Sequence, residues 1–116
     1  TLRIAPSLLP ELTPRLAPRS ERRLPLDLRL RESYRETREV VLPPGYRVGS
    51  LPEGGIAESP FGALTLTATG DGPVLLTTEL VRRADRVARE DYAAFRAGVE
   101  AADRLLRQRL ILEATR

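Results

Sequence analysis

From Leu24 onward the chain alternates. Leu24, Leu26, Leu28 and Leu30 are separated by Pro25, Asp27, Arg29 and Arg31, a period of two that predicts a half-buried β-strand. The next stretch, Glu32 to Leu42, holds Arg and Glu at spacings that a helix could also pair. It runs into Val40-Val41-Leu42, however, and stops at Pro43-Pro44-Gly45, so it reads as a strand whose first half is exposed on both faces, near a sheet edge. Pro43-Pro44-Gly45 predicts a turn, Tyr46 to Leu51 a short strand, Pro52 to Gly55 another turn, and Ile56-Ala57-Glu58 a brief extended piece. Pro60-Phe61-Gly62 breaks the chain, after which Leu64, Leu66 and Ala68 alternate with Thr65, Thr67 and Thr69. Gly70-Asp71-Gly72-Pro73 then predicts a hairpin onto Val74 to Val81, with Val74, Leu76, Thr78 and Leu80 on one face.

After Arg86 the period changes. Tyr92, Phe95, Val99, Ala102 and Leu106 recur at steps of three and four, the stripe of an amphipathic helix over about 89–108. Glu90 and Asp91 stand at its positive end and Arg104 and Arg107 at its negative end, as the helix dipole favours. Glu100–Arg104 and Asp103–Arg107 are spaced as surface ion pairs, and Arg96 falls on the exposed side. Gly98, beside Val99, either permits close packing or is tolerated at a cost of about 1 kcal/mol against Ala. Leu110-Ile111-Leu112 outlasts the helical stripe and reads as a short final strand.

Residues 1–23 follow a different rule, with Pro at 6, 10, 14 and 18. Each proline removes a donor and turns its predecessor toward extended geometry, which disfavours a regular helix. The stretch reads as a Pro-rich connector or extended arm, and Ile4, Leu8, Leu9, Leu12 and Leu16 imply that it lies on something. Two surfaces are open to it: another part of the polypeptide, or the domain's own sheet, which it would extend by a strand. The expected architecture is mainly β, an antiparallel sandwich-like domain over 24–116 with one C-terminal amphipathic helix packed against it.

Composition narrows the chemistry more than the fold. The sequence holds no Cys and no His, which removes disulfides, a thiolate nucleophile, zinc–thiolate sites and the usual base near neutral pH. All nineteen basic residues are Arg, so lysine Schiff-base chemistry is excluded too. The net charge of +3 is spread among interspersed Arg and Glu, with three Tyr, two Phe and no Trp. That is not the clustered charge with interleaved aromatics of a nucleic-acid surface. The clusters Arg19-Arg22-Arg23 and Arg82-Arg83-Arg86-Arg89 read as solvated surface or as partners of nearby carboxylates. No apolar run approaches the roughly 20 residues of a membrane span. No methionine occurs, even at position 1, so the expectation is a segment lying inside a longer reading frame.

No residue set emerges as catalytic, cofactor-binding or metal-binding. Glu90-Asp91 are explained by the helix dipole, Glu36 and Glu39 by a charged exposed strand, and Asp71 is one carboxylate where calcium needs about six to eight oxygens. The glycines match neither a dinucleotide fingerprint nor a P-loop. Tyr92 and Phe95 are expected to complete the core rather than form a binding groove. The chain is therefore expected to be non-catalytic and to fold without cofactor or metal.

The order of punctuated segments does carry a likeness. Arg23-Leu24-Pro25-Leu26 precedes an extended stretch into Leu42-Pro43-Pro44-Gly45-Tyr46, then Leu51-Pro52, Phe61-Gly62, a hairpin, an amphipathic segment opening at Tyr92 with Phe95, and Leu110-Ile111-Leu112. Over about residues 23–113 this resembles the C-terminal β-rich domain of unknown function that follows the papain-like core in bacterial transglutaminase-like proteins. The resemblance implies an exported, periplasmic parent acting on proteins or peptides by thiol acyl chemistry. Its Cys-His-Asp triad would belong to the preceding core, and no position here matches it. The implied partner is that core, with this domain stabilising it or shaping access to it. An independent binding module for a protein, peptide or envelope glycan is the alternative. Neither reading includes nucleic-acid binding or membrane insertion.

Overall fold

The computed structural model describes residues 1–17, 26–27, 33–83 and 86–115. Strands run over β1 (Leu2–Ile4), β2 (Leu26–Asp27), β3 (Ser33–Val40), β4 (Tyr46–Ser50), β5 (Gly55–Ser59), β6 (Gly62–Thr69), β7 (Val74–Arg82), β8 (Arg86–Val87) and β9 (Leu110–Ala114). Among the described residues two helices join them, α1 (Thr13–Leu16) and α2 (Tyr92–Leu106), the second entered through a 3-10 turn at Arg89–Asp91. The protein is mainly β, with antiparallel sheets, a C-terminal helix and a final strand, as the alternating pattern predicts. The strand expected over Leu24 to Leu30 lies outside the described residues except at β2, which pairs with β8.

The larger sheet has the order β3-β7-β6-β5, so β3 is an edge strand. Its register is continuous across the strands: Thr37 faces Thr77, which faces Thr67, and in the next row Glu36 faces Thr78, which faces Leu66. The Gly70 to Pro73 turn closes the β6–β7 hairpin. At Gly70, φ is +114° and a Cβ would fall on the Pro73 carbonyl oxygen, so glycine is needed there. Pro60-Phe61, expected as a break, is instead the tip of a tight β5–β6 hairpin, with Ser59 opposite Gly62.

One face of this sheet carries two hydrophobic clusters side by side. At one end Val74 and Leu76 pack on Leu110 and Leu112, with Ile4, Val40, Tyr46 and Val48 around them. Here the smaller sheet, of order β1-β9-β4, is stacked on the larger one. Leu110 and Leu112 are fully buried, and β9, expected as a short terminal strand, is the central strand of its sheet. At the other end α2 covers the sheet. Its stripe of Tyr92, Phe95, Val99, Ala102 and Leu106 is buried against Leu64 and Val87, with Phe61, Ala57 and Leu80 beside them. A Cβ on Gly98 would come within 3.0 Å of the Ser59 Cβ, so the glycine does permit close packing of helix on β5.

The proline-rich N-terminal stretch is built into this arrangement. Residues 2–4 pair with β9, placing the arm on the domain's own sheet. Pro6 is fully buried, and Leu12 and Ala17 belong to the helix-side cluster, with Leu9 and Leu16 beside it. Leu8 alone of the five apolar residues stays largely exposed, at 73%. One helical turn does form, at Thr13–Leu16, because Pro14 lies in its first turn, where a missing N–H costs nothing.

Candidate functional site

The most densely bonded polar groups are two carboxylates that the sequence reading placed on the surface. Asp103 was expected in an ion pair with Arg107; it is 0% exposed. Its carboxylate accepts hydrogen bonds from the backbone N–H groups of Leu12 and Thr13, the latter at 2.9 Å, and from the Thr13 hydroxyl. Those amides open α1, whose first turn has no capping side chain of its own. Asp103 supplies the cap from α2 and sets a negative charge at the positive helix end. Arg107 turns instead to Glu11 at 2.6 Å, and that charge-assisted bond holds its guanidinium above the ordinary arginine value. The signal for Asp103 lay in the stripe, since it stands four residues after Val99 and three before Leu106.

Glu36, expected on an exposed strand face, is only 9% exposed. It accepts from the Ser7 hydroxyl at 2.8 Å, from the Leu8 backbone N–H at 2.8 Å, and from the Tyr34 hydroxyl at 3.3 Å. Strand parity is the reason: Glu36 shares the inward face with Val40 and stands opposite Thr78. The Tyr34 phenol is raised above its ordinary value by desolvation first, then by the Glu36 charge and their hydrogen bond. In the same row the Thr78 hydroxyl is buried with no hydrogen-bond partner among the described residues.

The remaining candidates stay apart. Glu90 and Asp91 are exposed at the helix start; Glu90 bonds to Arg89, and its carboxyl is lowered by a backbone hydrogen bond and then by that arginine. Glu39 and Asp71 are exposed. Arg83 pairs with Glu58 at 3.6 Å, while Arg19, Arg22 and Arg23 lie outside the described residues. Arg96 is not free on the surface: it pairs with Glu100 at 2.9 Å and donates to the Ala17 carbonyl. Among the described residues no group of three or more His, Cys, Asp or Glu gathers to hold a metal, and no helix is long and apolar enough to cross a membrane.

Between α1, α2 and the β5–β6 hairpin lies an apolar cavity of about 40 Å³, bounded by Leu12, Leu16, Phe61, Leu80 and Phe95. That is far below the roughly 300–1,000 Å³ of small-molecule sites. The aromatic rings are committed to packing as well: Phe61 meets Phe95 edge to face at 5.6 Å, and Tyr92 and Phe95 are 2% and 4% exposed. The polar network holds the N-terminal stretch to the body of the domain.

No curated protein matches this sequence. A solved structure of similar fold is that of a candidate protease from Parabacteroides distasonis ATCC 8503, with a TM-score of 0.67 and 17% identity over 90% of this chain. The chain spans only 22% of the length of that protein. A family model for a domain of unknown function with a solved structure, DUF3858, matches residues 1–112, so the family pattern takes in the N-terminal arm that the sequence reading set apart. With a β-rich fold whose two buried carboxylates fasten that arm, the chain belongs to the DUF3858 family.

Proposed function

We propose that this chain is a non-catalytic accessory domain of a transglutaminase-like protein, packing on its catalytic core or shaping access to it. The observation that carries the reading is the recurrence of the fold as 22% of a much longer chain described as a candidate protease. A domain of that share, lacking Cys and His throughout, would leave nucleophile and base to the rest of the polypeptide. The order of turns and stripes from Arg23 to Leu112 supports the transglutaminase-like core as that remainder, and with it an exported, periplasmic, bacterial setting. All five aromatics take part in packing or bond to Glu36, which leaves a sugar-stacking platform without rings and favours the accessory role over a glycan-binding module.

In this reading the core performs thiol acyl chemistry on protein or peptide substrates. The domain contributes rigid surface beside it. The test is to produce such a protein with and without this domain and compare the core's turnover and melting temperature. Loss of either on deletion is the expected result. A core unchanged in both would overturn the proposal.

A further inference from the structure

Residues 1–17 make few bonds among themselves: the single turn of α1, and Leu9 N–H to the Ser7 hydroxyl. Their other described bonds reach across to the body. β1 pairs with β9, the Ala5 carbonyl accepts from Arg38, and Glu11 meets Arg107. Ser7 and Leu8 donate to Glu36, Leu12 and Thr13 to Asp103, and the Ala17 carbonyl accepts from Arg96. A segment bonded this way has no core of its own and takes its order from the body.

The body differs. Its four-stranded sheet has complete ladders, and β9 keeps β4 as a partner without β1. The helix-side cluster retains Leu64, Val87, Tyr92, Phe95, Val99, Ala102 and Leu106 when Leu12 and Ala17 are set aside.

We infer that residues 1–17 form a strap that opens as a unit from a body that stays folded, with Asp103 and Glu36 as its two latches. Each latch is a buried carboxylate on the body, and what the strap offers is mainly backbone N–H. The bonds are therefore charge-assisted and strong for their number. An opened strap bares two carboxylates on one apolar face and frees the N-terminal end of the chain from the sheet. The strap is thus a conformational device built into the fold.

Native-state hydrogen exchange on the full chain tests this. In the parent sequence, the amides of Leu8, Leu12, Thr13, Leu16 and Ala17 should share one opening and exchange faster than the β6–β7 ladder. Asp103→Asn should speed that whole group about tenfold or more, including Leu8, which Asp103 does not bond, and leave the ladder unchanged. Thr13→Val, a milder change confined to the strap, should move the same amides the same way by less. Acceleration limited to Leu12 and Thr13, acceleration shared equally by the ladder, or none at all would overturn the inference.

Discussion

Thr78 shows most plainly what a single inward-facing polar residue does here. Its hydroxyl is buried beside Leu66 and Glu36 in the sheet register, without a hydrogen-bond partner among the described residues. An unpaired buried hydroxyl costs free energy, whereas a methyl of the same shape does not. Thr78→Val should therefore be neutral or stabilising by about 1 kcal/mol in urea titration; a clear loss of stability would mean that the hydroxyl has a partner after all. Tyr34 gives a second test at this scale. Its phenol is raised above the ordinary value of about 10, so it adds stability that is complete below about pH 10 and is lost as pH rises through the folded value. Tyr34→Phe should remove that contribution, lowering stability below about pH 10 and flattening the alkaline fall. An unchanged alkaline limb would show that Tyr34 does not contribute to it. Residues of this kind were the least legible in the sequence. Glu36 and Asp103 have the composition of surface groups, and only strand parity and helical phase reveal that they point inward.

At the scale of elements, periodicity was a good guide where one face meets a core and a poor one where local rules are overridden. Each of the five stripe residues of α2 is buried, and Val74, Leu76 and Thr78 are buried on one face of β7. Phe95→Ala should cost about 3–5 kcal/mol, since the ring packs edge to face on Phe61 within the cluster. Arg104→Ala, on the exposed side of the same helix, should cost about 0.5 kcal/mol or less. Equal losses in denaturant titrations would put the helix in the wrong rotation. The arm resisted reading because its prolines suppress any period, and its order comes from partners at least 28 residues away in sequence. Such long-range bonds leave no local pattern. The β5–β6 hairpin was hidden for a related reason: Pro60-Phe61 has turn chemistry, but nothing in those two residues says that the flanking strands pair.

Taken whole, the molecule is one sheet face covered in two ways, by a second sheet at one end and a helix at the other, with the N-terminal strap fastened along both. Its sequence spends its charged residues on fastening and surface, and supplies neither thiol nor imidazole. The fold class was legible from alternation and one helical stripe. Contacts between domains of one polypeptide are modest and rather polar and leave little mark on composition, so composition is silent on partnership. On the proposed function, this domain works by associating with a catalytic core. The most direct measurement is calorimetric titration of residues 1–116 into a separately produced transglutaminase-like core from the same polypeptide. The account predicts saturable one-to-one binding that raises the core's melting temperature. No heat of association, together with an unshifted melt at the highest attainable concentration of the domain, would contradict it.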